Sequence, residues 1–407
     1  VSGSRSVFKA AGKQYQERGI SRRVRRITIS AIKEMPLLAS KLEGCLSLGQ
    51  GIPSFATPLH IREAARRVLR DDPEAGKYSL GPGLPELRAA VARELGRTRR
   101  IEVDPDREVC ITVGGMEGLL AGILTLIDRD DEVILPSPNY ASHIEQVILA
   151  GGRPVFVPLD EDGWRLDPEG IRAAVTPRTR AIILCSPQNP TGAVFAEAEL
   201  RSLAELALER DLFIITDETY DFLVYDGRPY FSLTSLPELK DHLFAAFSFS
   251  KKYAMTGWRV GYVYTSAGVL DHLLKVHDAG AICAPTLSQH AALAALEGPQ
   301  DCVAEFLSIL QSRRDLICRR LDRLDKFFSY VRPAGAYYIM PRWLPPGLDS
   351  MTLALRLLYE ARVITIPGLA FGPTGENHLR LCFGGKEEEI NEAFDRIEDW
   401  ARSAIKL

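Results

Sequence analysis

Seven short apolar runs punctuate the middle of the chain, at 109–113, 132–135, 153–157, 181–185, 212–216, 243–247 and 260–264. Many are apolar at successive positions rather than at every second one, the pattern of strands covered on both faces, and they predict a largely parallel sheet between helices. Longer amphipathic stretches at 116–126, 140–149, 197–210 and 288–297 carry the helical spacing expected of the covering layers. Ahead of them, 60–70 and 85–95 repeat that spacing on either side of an exposed loop, Lys77 to Gly83. Beyond Pro299 the order changes to a long helix at 303–324, strand-like 328–331 and 336–340, a helix at 351–360, a strand at 378–382 and a last helix from Lys386.

This order predicts an α/β architecture: a large domain over 50–298 with a mostly parallel central sheet, and a smaller α+β domain from 1–49 and 299–407 that includes an N-terminal arm. Its 407 residues exceed what a single core usually holds. Lys plus Arg number 50 against 53 Asp plus Glu, a formal charge of −3, so no global field draws the chain to nucleic acid or to an anionic membrane. The basic segment Arg18, Arg22, Arg23, Arg25 and Arg26 is short and reads as a solvated or interface-lining approach to a helix. Seven cysteines at 45, 110, 185, 283, 302, 318 and 382 form no CxxC pair and no metal-ligand spacing with histidine, and read as reduced core thiols. No leader-like start and no run of 18 uncharged apolar residues is present, so a soluble cytoplasmic protein without a metal is expected.

The chemistry collects at the ends of the predicted strands. Behind the run at 243–247 stand Ser248, Ser250, Lys251 and Lys252, with Arg259 eight residues after Lys251 in a Met-Thr-Gly-Trp-Arg segment. A lysine after an apolar strand, once desolvated, can form an imine and move a proton; Lys251 and Lys252 compete for that role on spacing alone. Arg259 suits paired phosphate oxygens, aided by Ser248 and Ser250. Thr112 to Gly118 turns a strand into a helix, whose first N–H groups suit the same phosphate. Asp217 closes the strand at 212–216, where a carboxylate can hold a pyridine nitrogen protonated. Tyr220 and Asn189 are candidates to bond a ring 3-oxygen, and Tyr140 to cover a ring face. Arg380, alternating with Leu379 and Leu381, suits a substrate carboxylate. Phosphate, pyridine nitrogen, 3-oxygen, ring face and aldehyde are the handles of pyridoxal phosphate, and each has a candidate.

Together with Gly51 to Pro58, Tyr78 with Gly81 and Gly83, and Asn189 to Gly192, these residues resemble the class I/II aminotransferases of fold type I, aspartate and aromatic aminotransferase-like, from about residue 45 to 385. The resemblance implies Lys251 rather than Lys252 as the lysine that bonds pyridoxal phosphate. It implies a phosphate cup of Gly115, Met116, Ser248, Ser250 and Arg259, with Tyr78 reaching the phosphate of a neighbouring subunit in a homodimer. It places Asp217 on the pyridine nitrogen, Tyr220 and Asn189 on the 3-oxygen, Tyr140 on the ring, and Gly51, Asn189 and Arg380 around the substrate carboxylate. Three positions depart from common relatives: Ile52 where many carry glutamate, His143 where tyrosine is common, and Met116 where some aspartate-using members carry lysine. They make a strictly acidic donor less fitting.

The expected activity is ping-pong transamination, with Lys251, Asp217 and Tyr220 as catalytic residues and 2-oxoglutarate as the acceptor of the amino group. The alternative is a lyase, or a cyclase or side-chain-modifying enzyme, using the same cofactor in specialised amino-acid metabolism, because the cofactor handles would be the same. A cofactor-binding transcriptional regulator is weaker, since about 45 residues before the resemblance leave little room for a winged helix and linker.

Overall fold

The computed structural model describes residues 19–27 and 31–404. Arg18 of the basic segment, the first part of the expected N-terminal arm and residues 28–30 lie outside the described residues.

Seven strands form one sheet in the spatial order Val109–Thr112, Gly261–Thr265, Leu243–Ser248, Phe213–Asp217, Thr179–Cys185, Glu132–Ser137, Arg153–Pro158. All run parallel except Gly261–Thr265, which pairs antiparallel with both of its neighbours. Each of the seven apolar runs is thus a strand. Within Thr179–Cys185, Ile182 and Leu184 join the core on one face while Ala181 and Ile183 join the core on the other, and all four are buried. Ile214 and Ile215 divide in the same way. A strand apolar at every position has no face to offer water, so helices must cover both sides.

The helices begin and end where local chemistry allows. Asp167 caps Pro168–Ala174 by accepting from the Gly170 N–H, with proline in the first turn, where its missing N–H costs nothing. Asp349 caps Ser350–Glu360 through the Thr352 N–H. The helix Ala267–Ala281, like the shorter Pro168–Ala174 and Phe249–Lys252, was not among the predicted elements. Only Leu270, Leu273 and His277 of its side chains are buried, a narrow apolar stripe that the sequence pattern carries weakly.

Towards the C-terminus a three-stranded antiparallel sheet runs in the order Tyr338–Ile339, Leu379–Cys382, Ile366–Pro367. The long helix Asp301–Asp322 is pinned to Glu387–Ala404 by Arg320, which bonds Asp395 at 2.5 Å and Glu398 at 2.7 Å. The early strand Leu46–Ser47 crosses to pair in parallel with Val363–Ile364, and the helix Ala31–Ala39 packs beside the same C-terminal strands. That crossing also delivers Gly49 and Gly51 to the carboxyl edge of the large sheet, beside Arg380 and Lys251.

Candidate active site

Ligands of open α/β sheets sit beyond the carboxyl ends of the strands. The polar residues of this chain collect there. A cavity of about 200 Å³ is lined by Gly51, Gly115, Met116, Tyr140, Asn189, Asp217, Tyr220, Ser248, Ser250, Lys251, Arg259 and Arg380. Every site residue expected from the sequence is therefore on one cavity except Tyr78. That side chain is 77% exposed and lines a separate groove with Thr286 and His290.

Lys251 is placed by a tight turn. Ser248 ends its strand and caps the short helix Phe249–Lys252 by accepting from the Ser250 N–H at 3.1 Å. The Lys251 amine then enters the cavity and donates to the Gly51 carbonyl at 2.5 Å, with no carboxylate in ion-pair reach among the described residues. Burial, supplemented by the Arg380 and Arg259 charges, lowers its pKa from 10.5 to about 8. An amine so lowered is still mostly protonated at neutral pH but gives up its proton far more readily than an ordinary lysine, which suits it to act as a nucleophile. Lys252 turns away and pairs with Glu94 at 3.1 Å; although burial acts to lower its pKa, the carboxylates of Asp221 and Glu94 and the neighbouring Tyr253 raise it. Of the two rival lysines, it is Lys251 whose amine reaches the cavity.

Asp217 ends Phe213–Asp217, buried at the sheet edge. Burial acts to raise its pKa, but hydrogen bonds from His143 Nε2 at 3.3 Å and from the Thr219 N–H at 3.1 Å outweigh it and hold the carboxyl ionised. His143 is in turn held by Asn139 Oδ1, 2.7 Å from Nδ1. Sequence reasoning had treated His143 only as a departure bearing on substrate choice. It is fully buried behind Asp217, and the available signal was its position three residues after Tyr140 on the first turn of Ala141–Ala150.

One end of the cavity is set by Arg259 and the start of a helix. Gly114–Leu126 starts there, so its first N–H groups lack helical partners. Arg259 bonds only carbonyls among the described residues, those of Thr256 at 2.9 Å and Val113 at 3.4 Å, and holds a left-handed backbone with φ of 53°. Gly114 is called for by its φ of +73°, and a Cβ there would also press on Arg259 Nη2 at 2.6 Å and displace the guanidinium. At the opposite end Arg380 is buried against Asn189 Oδ1 at 3.1 Å and the Gly49 carbonyl, and its Nε has no partner among the described residues. Tyr220 bonds Tyr338, hydroxyl to hydroxyl, at 2.8 Å. These groups fit pyridoxal phosphate: a cation and helix N–H groups for the phosphate, an ionised carboxylate to accept from the pyridinium, and an amine of lowered pKa for the aldehyde.

Residues 43–397 match the family model described as aminotransferase class I and II, and the chain belongs to that family. It is a pyridoxal phosphate-dependent aminotransferase of fold type I. Among its relatives, an aromatic-amino-acid aminotransferase 2 of Thermococcus litoralis is 38% identical, the alignment covering 93% of this chain and 97% of the relative. An aspartate aminotransferase of Pyrococcus abyssi is 36% identical over 93% of this chain and 97% of its own. The solved structure of Thermus thermophilus aspartate aminotransferase with maleate superposes with a TM-score of 0.87 at 36% identity, covering 94% of this chain and 99% of that one.

Proposed function

We propose that this aminotransferase moves the amino group of an α-amino acid to 2-oxoglutarate at the cavity described above. The observation that carries the reading is the Lys251 amine, with no carboxylate partner among the described residues, facing the same cavity as the ionised Asp217 carboxylate. Bound pyridoxal phosphate supplies an aldehyde that captures amines and a ring that accepts electrons from the donor's α-carbon. Lys251 would hold that aldehyde and would supply the base that carries a proton from the donor's α-carbon. Asp217 keeps the ring nitrogen protonated, Tyr220 and Asn189 bond the 3-oxygen, and Tyr140 covers the ring. Gly115, Met116, Ser248, Ser250 and Arg259 hold the phosphate. Arg380 takes the substrate carboxylate beside Gly51 and Asn189, and its unpartnered Nε supports that role.

Ile32, Met116 and Tyr140 line the remaining wall, and the cavity's cations, Lys251, Arg259 and Arg380, each have a role. This supports a donor with an apolar or aromatic side chain. The strongly exposed Tyr78 supports a homodimer in which Tyr78 completes the partner's phosphate site. We place the division between the large domain, 50–298, and the smaller one, 1–49 with 299–407, at this cavity, and assign the enzyme to the cytoplasm. Among the described residues no helix is long and apolar enough to cross a membrane.

The test is a panel of α-amino acids mixed with the cofactor-loaded protein, then 2-oxoglutarate or pyruvate added. Conversion of the cofactor to its amine form, followed by glutamate in stoichiometric yield from apolar donors, is expected. Ammonia or a modified amino acid without glutamate would overturn the reading.

A further inference from the structure

Tyr338 has no assigned role, yet it meets three parts of the site at once. It opens the strand Tyr338–Ile339, is only 2% exposed and lines the cavity. Its hydroxyl lies 2.8 Å from that of Tyr220. The Arg380 guanidinium sits over its ring, 4.6 Å from the centroid. A Cβ on Gly51 would overlap its hydroxyl, so the chain ahead of the cavity is thinned to a glycine where this phenol passes. Tyr220 and Tyr338 also meet edge to face, with centroids 5.7 Å apart, which fixes both rings.

Each phenol owns a single proton, and burial raises the pKa of both, so both stay protonated at neutral pH. Two protons then serve the hydroxyl pair. If Tyr220 donated to Tyr338, it would have none to give the cofactor. If Tyr338 donates to Tyr220, the Tyr220 proton is left pointing into the cavity, and a donor that itself accepts a hydrogen bond is the stronger for it. We propose that Tyr338 is a positioning residue: it donates to Tyr220 and so aims the Tyr220 O–H at the 3-oxygen of the cofactor. Arg380 over its ring, and the glycine at 51, hold Tyr338 in the place from which it does so.

The inference rests on the assignment of Tyr220 to the 3-oxygen. Its readout is the pH titration of the visible absorption band of the protein loaded with pyridoxal phosphate. A donor to the 3-oxygen stabilises the form in which the proton shared by that oxygen and the adjoining nitrogen has left. Losing the donor therefore raises the pKa of the band. Tyr220→Phe is expected to raise it most, and Tyr338→Phe by roughly half a unit, the scale of one neutral hydrogen bond acting at one remove. The double variant is expected to match Tyr220→Phe alone, because Tyr338 acts only through Tyr220. Tyr225→Phe is the structural control: its phenol is equally buried and bonds the Ala336 carbonyl, away from the cavity, and the band should not move. If Tyr220→Phe shifts the band but Tyr338→Phe does not, or if the two shifts add, the positioning role is overturned while the site assignment stands. An unmoved band in Tyr220→Phe overturns both.

Discussion

Two pairs of like-charged neighbours, Asp217 with Glu218 and Lys251 with Lys252, straddle the carboxyl edge of the sheet, one member of each facing the cavity and the other a cluster behind it. Behind, Glu218 is saturated: Ser232 and Thr234 donate to one oxygen at 2.5 and 3.0 Å, Arg99 and Tyr230 to the other at 3.0 and 3.1 Å. Arg99 also bonds Asp221 at 2.6 Å, and Lys252 bonds Glu94 at 3.1 Å. In front, among the described residues, Lys251 bonds only a carbonyl and Asp217 only a histidine and a backbone N–H. Burial is similar on the two sides, but the rear charges neutralise one another and the front charges wait for a ligand. What marks the site is the missing partner, not the residue type.

The sharpest way to break this contrast is to delete each lysine in turn. Lys251→Ala is expected to lower kcat/KM by at least about 10³-fold, since it removes the imine-forming amine and the proton carrier together. Lys252→Met should keep catalysis within about tenfold and instead lose about 1–3 kcal/mol of stability, as Glu94 loses a buried partner. Steady-state kinetics and urea unfolding on both variants check this; equal kinetic losses would dissolve the distinction. On the rear side, Arg99→Met leaves the buried Glu218 without its cation, at a cost of about 3–5 kcal/mol in unfolding free energy. Cofactor added to the folded fraction should still bind at Lys251, because the front charges do not depend on Arg99 for their bonds.

Most of this architecture was legible in the chain. Apolar runs without alternation predicted every strand of the large sheet, and polar residues at their ends predicted the cavity, because a strand end fixes its residues' place whatever the distant packing. The legible part stops where placement depends on residues far apart in sequence. His143 meets Asp217 across 74 positions and Tyr338 meets Tyr220 across 118, and no local pattern encodes either bond. Spacing alone left Lys251 and Lys252 level, and although the family resemblance favoured Lys251, the bond that turns Lys252 away runs to Glu94, 158 residues distant. The helix Ala267–Ala281 escaped for a local reason, its narrow buried stripe.

The missing partner also has a signature in pH. The pKa of Lys251 in the cofactor-free fold is about 8, below the 10.5 of an unfolded chain. Between those values the unfolded state binds more protons, so this group makes stability rise with pH across that window, by at most about 3 kcal/mol. Below pH 8 the cost of burying the charge is fully present. Lys251→Met should therefore be more stable than the parent at pH 7, by an excess that shrinks as pH approaches 10. Urea unfolding of the two cofactor-free proteins at several pH values measures that excess directly, and a constant excess would mean that Lys251 is not the desolvated amine. Lys252, its pKa raised by its carboxylate partners, should give no such rise.

The smallest effect is expected at His143, which tests whether the front carboxylate is held ready by its own neighbours. Asp217 sits below the usual carboxylate range because His143 and Thr219 outweigh burial. A carboxyl lowered in this way contributes stability above its unfolded pKa and loses it as pH falls through the folded one. His143→Ala removes the larger of the two supports, so the folded pKa should rise and the acid limb of kcat/KM should move to higher pH. Near neutrality the loss should be about tenfold, the scale of one hydrogen bond to a charged group. Thr219 cannot take up the role, since its N–H is already bonded to the other carboxylate oxygen. An acid limb that stays in place would mean that the cofactor's own nitrogen, rather than the protein behind Asp217, keeps that carboxylate charged.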